Sequence, residues 1–186
     1  KRNFDGEGTF HYWSEPALGF YKSDDKEVIR THMTQLFELG VDYIIIDNTN
    51  ACLYWHETSR GTDWDLFITL PCTAILDTIV EMRAEGKNTP YVVFWSNVND
   101  RDRWGVADET YEMFLSQKKW QDCFVYMEGK PLMLVTNIIP GRPKYDITIR
   151  KQWGLDQKRK PYEWSFLNVI NDPTIDNDGF TEQMCV

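Results

Sequence analysis

The 186-residue sequence contains no uninterrupted apolar run of roughly 18 residues, the length a membrane helix needs, so no membrane span is expected. Positive charge is scarce. Lys and Arg number 20 against 29 Asp and Glu, a net charge of −9, which argues against nucleic acid as a partner because a phosphate backbone demands a basic surface. There are only three His residues, His11, His32 and His56, and no two share a metal-ligand spacing. No metal and no cofactor are therefore expected. The four Cys residues, Cys52, Cys72, Cys123 and Cys185, form no C-x-x-C pair, which excludes the common zinc and redox motifs. Apolar neighbours around Cys72 and Cys123 favour free buried thiols. No strand-to-helix turn carries the glycine fingerprint of dinucleotide binding, and no phosphate-loop pattern is present. The chain begins with Lys1, with no charged-then-apolar leader. The expectation is a processed or excised piece, and a parent protein that is secreted or periplasmic.

Aromatic residues, by contrast, are plentiful. They make up 15% of the chain, with eight Trp, and hydrophobic residues reach 42%. That content excludes a disordered chain, and the length suits one domain with a real core. An aromatic surplus fits a core. It also fits a sugar cleft, where a flat ring face stacks on the C–H face of a pyranose and leaves its hydroxyls free.

The order of elements is helix, strand, helix, strand, helix, and then strands with short connections. Residues 1 to 23, with Gly6, Gly8, Pro16 and Gly19 between aromatics, read as a long ordered loop of the kind that carries function. Asp24 with Glu27 offers a capping box for a helix whose face is Val28, Ile29, Met33, Leu36 and Phe37, and Gly40 ends it. Val41 to Ile46 is a strand apolar on both faces, as in a parallel sheet. A second helix has Pro71 in its first turn or is kinked by it, with Ile75, Leu76, Ile79, Val80 and Met82 inward and Gly86 and Pro90 at its end. "YVVFWSN" is the second strand. A third helix is expected over Asp108 to Gln117, with Tyr111, Phe114 and Leu115 inward. "DCFVYMEGKPLMLV" reads either as two short strands around Glu128-Gly129-Lys130 or as one strand after an extended piece. "YDITIR" and "EWSFLNV" are further strands, and "EQMCV" reads as a strand beginning. No internal repeat, low-complexity segment or interior linker divides the chain, so residues 1–186 are taken as one domain.

This alternation means α/β with a parallel sheet. Strand after strand closes on polar or aromatic residues: Asp47 and Asn48, Trp95 and Asn97, Arg150, Asn168. A (β/α)8 barrel collects its chemistry at such strand ends, whereas a doubly wound sheet needs the glycine turn that is missing. A whole barrel takes about 250 residues. The expected fold is therefore an incomplete (β/α)8 TIM-type barrel.

The segment "FHYWSEPALGFYKSDDKEVIRTHMTQLFELGVDYIIIDNTN" resembles the glycoside hydrolases related to families 71 and 99, in particular bacterial proteins often labelled xylosidase or arabinosidase. The shared features are a W-x-E-P segment, a Y-x-S-D-D-x-x-V-I-R-x-H helix start, and a G-V-D strand closing on D-x-T-N. "GKPLMLV", "DITIRKQW" and "WSFLNV" continue the resemblance in order, over nearly the whole chain. The resemblance implies a (β/α)8 barrel of which strands two to six are present, with "EQMCV" opening the seventh. It also implies a carbohydrate substrate and a catalytic-type Glu on a strand outside this chain. Asn168 stands where the resemblance leads one to expect Glu. That departure supports the alternative of a non-catalytic carbohydrate-binding barrel.

Glycoside hydrolysis uses two carboxyl groups, about 5 to 9.5 Å apart, one as acid and the other as nucleophile or base. The candidates here are Asp47, at the end of a stave, and Glu15, in the aromatic loop. Asp47 could equally bond its own turn, as Asx residues do. His11 and Trp13 lie beside Glu15 and could hold a sugar ring and its hydroxyls, or Trp13 could plug the barrel mouth. Trp95 and Trp164 are stacking platforms or core residues. Arg150 could grip a site carboxylate or form a structural ion pair. Asn48, Asn50, Asn97 and Asn168 suit hydroxyl recognition, because an amide both donates and accepts, and they suit plain turns as well.

Overall fold

The computed structural model describes residues 16–53, 64–153, 162–165, 174–175 and 181–182. Glu15, His11, Trp13 and Asn168 lie outside this set, as do most of the aromatic N-terminal loop and of "EQMCV".

Helix α1 spans Lys26–Glu38, and its cap is one residue later than the sequence suggested. Asp25, not Asp24, turns its carboxylate onto the first turn, accepting the N–H groups of Glu27 (3.1 Å) and Val28 (3.4 Å). These are the orphan donors that every helix start must satisfy. At the other end Gly40 takes φ +81°, its N–H bonds the Phe37 carbonyl, and the Val41 N–H bonds that of Leu36. This closure is a Schellman motif, which needs a left-handed residue that glycine adopts without penalty. Val41 is thereby withdrawn from the sheet. Strand β1 runs over Tyr43–Asn48 instead of 41–46, so Asp47 and Asn48 belong to the strand and do not follow it.

A π-helical turn, Asp65–Thr69, runs on without a break into α2, Leu70–Ala84, with Pro71 in the first turn after it. Strand β2 is Tyr91–Ser96. Helix α3 covers Gly105–Thr110, starting before Asp108, and continues as a π-helical turn, Tyr111–Leu115. A 3-10 turn at Lys118–Cys123 precedes the hairpin of β3, Tyr126–Met127, and β4, Lys130–Val135. Glu128 and Gly129 both take positive φ, 56° and 74°, the backbone of a tight two-residue hairpin turn. Strands β5, Thr148–Trp153, and β6, Glu163–Ser165, follow, and β7, Thr174–Ile175, pairs antiparallel with β8, Thr181–Glu182. Arg150 thus sits within β5 and not at its end.

The main sheet has the order β1-β2-β4-β5-β6, parallel throughout, with β3 an antiparallel addition to β4. Side chains alternate between the two faces of such a sheet. On one face Ile44, Ile46, Val92, Phe94, Met133, Val135 and Ile149 join the helix residues Ile29, Met33, Leu76, Ile79, Met82, Val106 and Phe114 in the main core. On the other face Tyr43, Ile45, Val93, Trp95, Leu132, Leu134 and Trp164 pack with Val125 and Met127 of the β3 segment. No described helix residue enters this second cluster. Helices on one face and strand side chains alone on the other make a half-barrel, not a doubly wound sheet. Phe37 and Val80, expected inward, are 43% and 37% exposed, while Cys72, Ala74 and Thr78 occupy buried positions of α2.

Asp25→Ala should cost about 1 kcal/mol in urea denaturation, whereas Asp24→Ala should stay within about 0.5 kcal/mol; the reverse order would restore Asp24 as the cap. Burial pushes the thiols of Cys72 and Cys123 up from 9.0 to about 12 and about 11. The unfolded chain therefore ionises first, so stability holds below pH 9 and falls as pH rises from about 9 through 12. In the native protein a thiol reagent at pH 8 should label half-buried Cys52 well before Cys72 or Cys123.

Candidate active site

Strand register places the polar strand ends. Asp47 is the Cα partner of Trp95, Trp95 of Leu134, and Leu134 of Arg150. All four lie in one row and share the concave face, because in-register parallel partners point the same way. Gln152 pairs with Trp164 one step further along. Asp47, Trp95, Arg150 and Trp164 are therefore brought onto a single surface. Adjacent strands are about 4.8 Å apart, so Asp47 stands next to Trp95 and about 14 Å of sheet away from Arg150.

Each of the four is placed differently. Asp47 is exposed, and its Oδ1 accepts the Thr49 N–H at 2.8 Å, an Asx turn that fixes one carboxylate oxygen. Trp95 is half-buried against the concave cluster, and Trp164 is buried in it, 4% exposed. Arg150 is buried, and its guanidinium meets Glu128 of the β3–β4 turn at 3.4 Å. The same hairpin is held from β5 by Thr148, whose hydroxyl donates to the Met127 carbonyl at 2.8 Å. This turn sits at the start of β4, so the Arg150–Glu128 pair braces the floor of the half-barrel and not its rim.

The asparagines separate. Asn48 shares the face of Ile44 and Ile46, turned toward the helices and 2% exposed, and its Nδ2 has no hydrogen-bond partner among the described residues. Asn50 is exposed. Asn97 donates from Nδ2 to the Ala51 carbonyl at 3.1 Å, and its Oδ1 lies 3.3 Å from Thr136 Oγ1. Thr136, directly after β4, also accepts the Val98 N–H at 2.9 Å. Thr136 carries the signal that drew attention to Asp47: an apolar strand closing on a hydrogen-bonding side chain. Glu128, legible in the sequence only as a turn residue, is brought to Arg150 by the fold of the hairpin, and Asp102, without a motif to mark it, accepts the Leu53 N–H on Oδ2 at 3.4 Å. Among the described residues no cluster of His, Cys, Asp and Glu could hold a metal ion.

No family model matches the sequence, and no curated protein matches it. Solved structures do. The GH99 endo-alpha-mannosidase from Bacteroides thetaiotaomicron superposes with a TM-score of 0.50 at 16% identity, over 75% of this chain and 40% of that one. A second structure of the GH99 endo-alpha-mannosidase, in complex with bis-tris propane, gives a TM-score of 0.48 at 16% identity, over 75% of this chain and 43% of that one. The chain thus spans less than half the length of the proteins it superposes on.

Placing Asn48 in the helix layer has a measurable consequence. Asn48→Asp would bury a carboxylate in the helix layer and should cost about 3 kcal/mol, while Asn50→Asp should change stability by less than about 0.5 kcal/mol. Equal costs in urea denaturation would contradict this placement.

At 16% identity the superposition speaks for the fold, and it agrees with the group of proteins that the sequence motifs resemble: the chain is an incomplete (β/α)8 barrel of the kind found in a GH99 endo-alpha-mannosidase.

Proposed function

We propose that this chain forms part of the catalytic face of a glycoside hydrolase acting on a polysaccharide or oligosaccharide, with Asp47 as one of two working carboxylates. The observation that carries this reading is the pairing of Asp47 with Trp95 at the C-terminal end of β1 and β2, on the concave face. A carboxylate beside a half-buried indole is suited to a sugar: the ring face takes the pyranose C–H surface, and the carboxylate reaches its hydroxyls or anomeric carbon. Asp47 is the one carboxylate that β1, β2, β4, β5 and β6 carry on that face among the described residues. The second carboxylate then comes from Glu15 or from a part of the site outside this chain. Glycans containing α-mannosides are the first substrates to try, because the structural neighbour is an endo-alpha-mannosidase.

One observation favours a second reading. A concave face with a single described carboxylate also fits a barrel that binds carbohydrate without cleaving it. The two readings separate in one experiment on the intact protein that carries this chain. Hydrolysis predicts released reducing ends from a glycan panel, a fall of about 10²–10⁴ in kcat for Asp47→Asn, and a rise of about tenfold in KM with smaller loss of kcat for Trp95→Leu. Glycan-induced quenching of Trp fluorescence with no product would establish binding alone. Turnover unchanged in Asp47→Asn would remove Asp47 from the chemistry.

A further inference from the structure

Three strand ends at the rim are joined by one run of hydrogen bonds. The Thr136 hydroxyl, after β4, has one proton and two acceptors in reach, Val98 O at 3.1 Å and Asn97 Oδ1 at 3.3 Å, while its oxygen accepts the Val98 N–H at 2.9 Å. The Thr136 N–H itself bonds the Ser96 carbonyl at 3.2 Å, so the residue is fixed to the end of β2 by backbone as well as side chain. Asn97 passes the connection on to the Ala51 carbonyl at 3.1 Å. The Ala51 N–H bonds the Asn48 carbonyl at 3.0 Å, closing the turn in which Thr49 donates to Asp47. Hydrogen bonds in such a series polarise and stiffen one another. Among the described residues the Asn97 amide ties this turn to the end of β2, alongside the packing of buried Ala51 in the core, and Thr136 stands against Asn97 from the end of β4.

We infer that Thr136 and Asn97 are positioning residues, which set the Asp47 turn against the ends of β2 and β4 and so fix where the Asp47 carboxylate points. The catalytic half of this inference rests on the function proposed above; the mechanical half does not. Asn97, which the sequence suggested as a hydroxyl binder, uses its amide inside the protein. Its effect on a substrate then passes through Asp47.

The test uses the intact protein with Thr136→Val, which keeps the shape and removes the hydroxyl, and Thr136→Ser, which restores it. Hydrogen exchange of the Thr49 and Ala51 amides is compared with that of Met82 and Phe94 in the core. The expected result for Thr136→Val is exchange about three- to tenfold faster at Thr49 and Ala51, unchanged exchange in the core, and recovery in Thr136→Ser. Asn97→Ser, too short to reach Ala51, should give the same local acceleration and stands in if Thr136→Val does not fold. On a glycan substrate Thr136→Val should lower kcat by a similar factor with KM unchanged, since the group that moves is the reacting carboxylate. Unchanged exchange at Thr49 and Ala51 in both variants overturns the inference, whatever the activity. If exchange accelerates but Asp47→Asn turns over like the parent, the tie stands and the catalytic reading of Asp47 is what fails.

Discussion

The backbone ladder between β1, β2, β4 and β5 is the constraint on which the rest of the molecule depends. Parallel pairing in the observed register puts Asp47, Trp95, Leu134 and Arg150 in one row and Asn48, Ser96 and Val135 in the next, on opposite faces. A slip of β1 by one residue would reverse every assignment. Asp47 would enter the helix layer beside Phe94 and Phe114, which stack there at 5.2 Å, and Ile44 and Ile46 would leave it. An uncompensated carboxylate in that layer costs several kcal/mol, whereas the apolar side chains of β1 would only exchange one packed face for the other. The charge of Asp47 therefore helps fix the register that exposes it.

The helix layer holds the ladder from outside. Arg83, near the end of α2, donates to Thr89 Oγ1 at 2.9 Å, to the carbonyls of Thr89 (3.4 Å) and Pro90 (3.2 Å), and to the Asp122 carbonyl. One guanidinium thus binds the helix to the residues that enter β2 and to the 3-10 turn that precedes β3, using the planar fork that a lysine lacks. Asp77 on the same helix accepts the Trp120 indole N–H at 2.8 Å, and Trp120 packs beside Phe114. The place where β2 begins, and hence the height at which Trp95 emerges, is set from the α2 side.

Much of this was legible in the sequence. Continuous apolar runs announced the parallel strands, and Gly40 and Gly86 the helix ends, because each depends on neighbours in sequence; the hairpin at Glu128-Gly129 was one of two readings of its segment. The strand limits were less legible. Val41 looks like a strand residue, but its N–H is committed to α1, a choice made by the Schellman closure and not by side-chain character. Face assignment needed the register: Asp47 and Asn48 are adjacent hydrogen-bonding residues, and nothing local says which turns toward the helices. Arg150 found its partner in Glu128, 22 residues away, and only the folded hairpin brings them together. The expectations for Glu15, His11, Trp13 and Asn168 concern residues outside the described set.

Why, then, does an apolar stave end in Asp-Asn-Thr-Asn? A strand end must place its last N–H and C=O groups once the ladder stops, and buried backbone groups do not go unpaired. Asp47 takes the Thr49 N–H, the Asn48 carbonyl takes the Ala51 N–H, and the Ala51 carbonyl is taken by Asn97. Most of the polar capacity at this rim is thus spent within the protein. What distinguishes a ligand-facing group is the capacity left over. Asn97 spends an N–H on the Ala51 carbonyl and competes with the Val98 carbonyl for the Thr136 hydroxyl proton. A carboxylate has roughly four lone-pair sites, and among the described residues the hydrogen bonds of Asp47 account for one of them. An exposed carboxylate oriented by a backbone donor, next to a partly exposed indole, keeps capacity for a ligand within that set. That combination, more than the abundance of polar residues, singles out Asp47 at this rim.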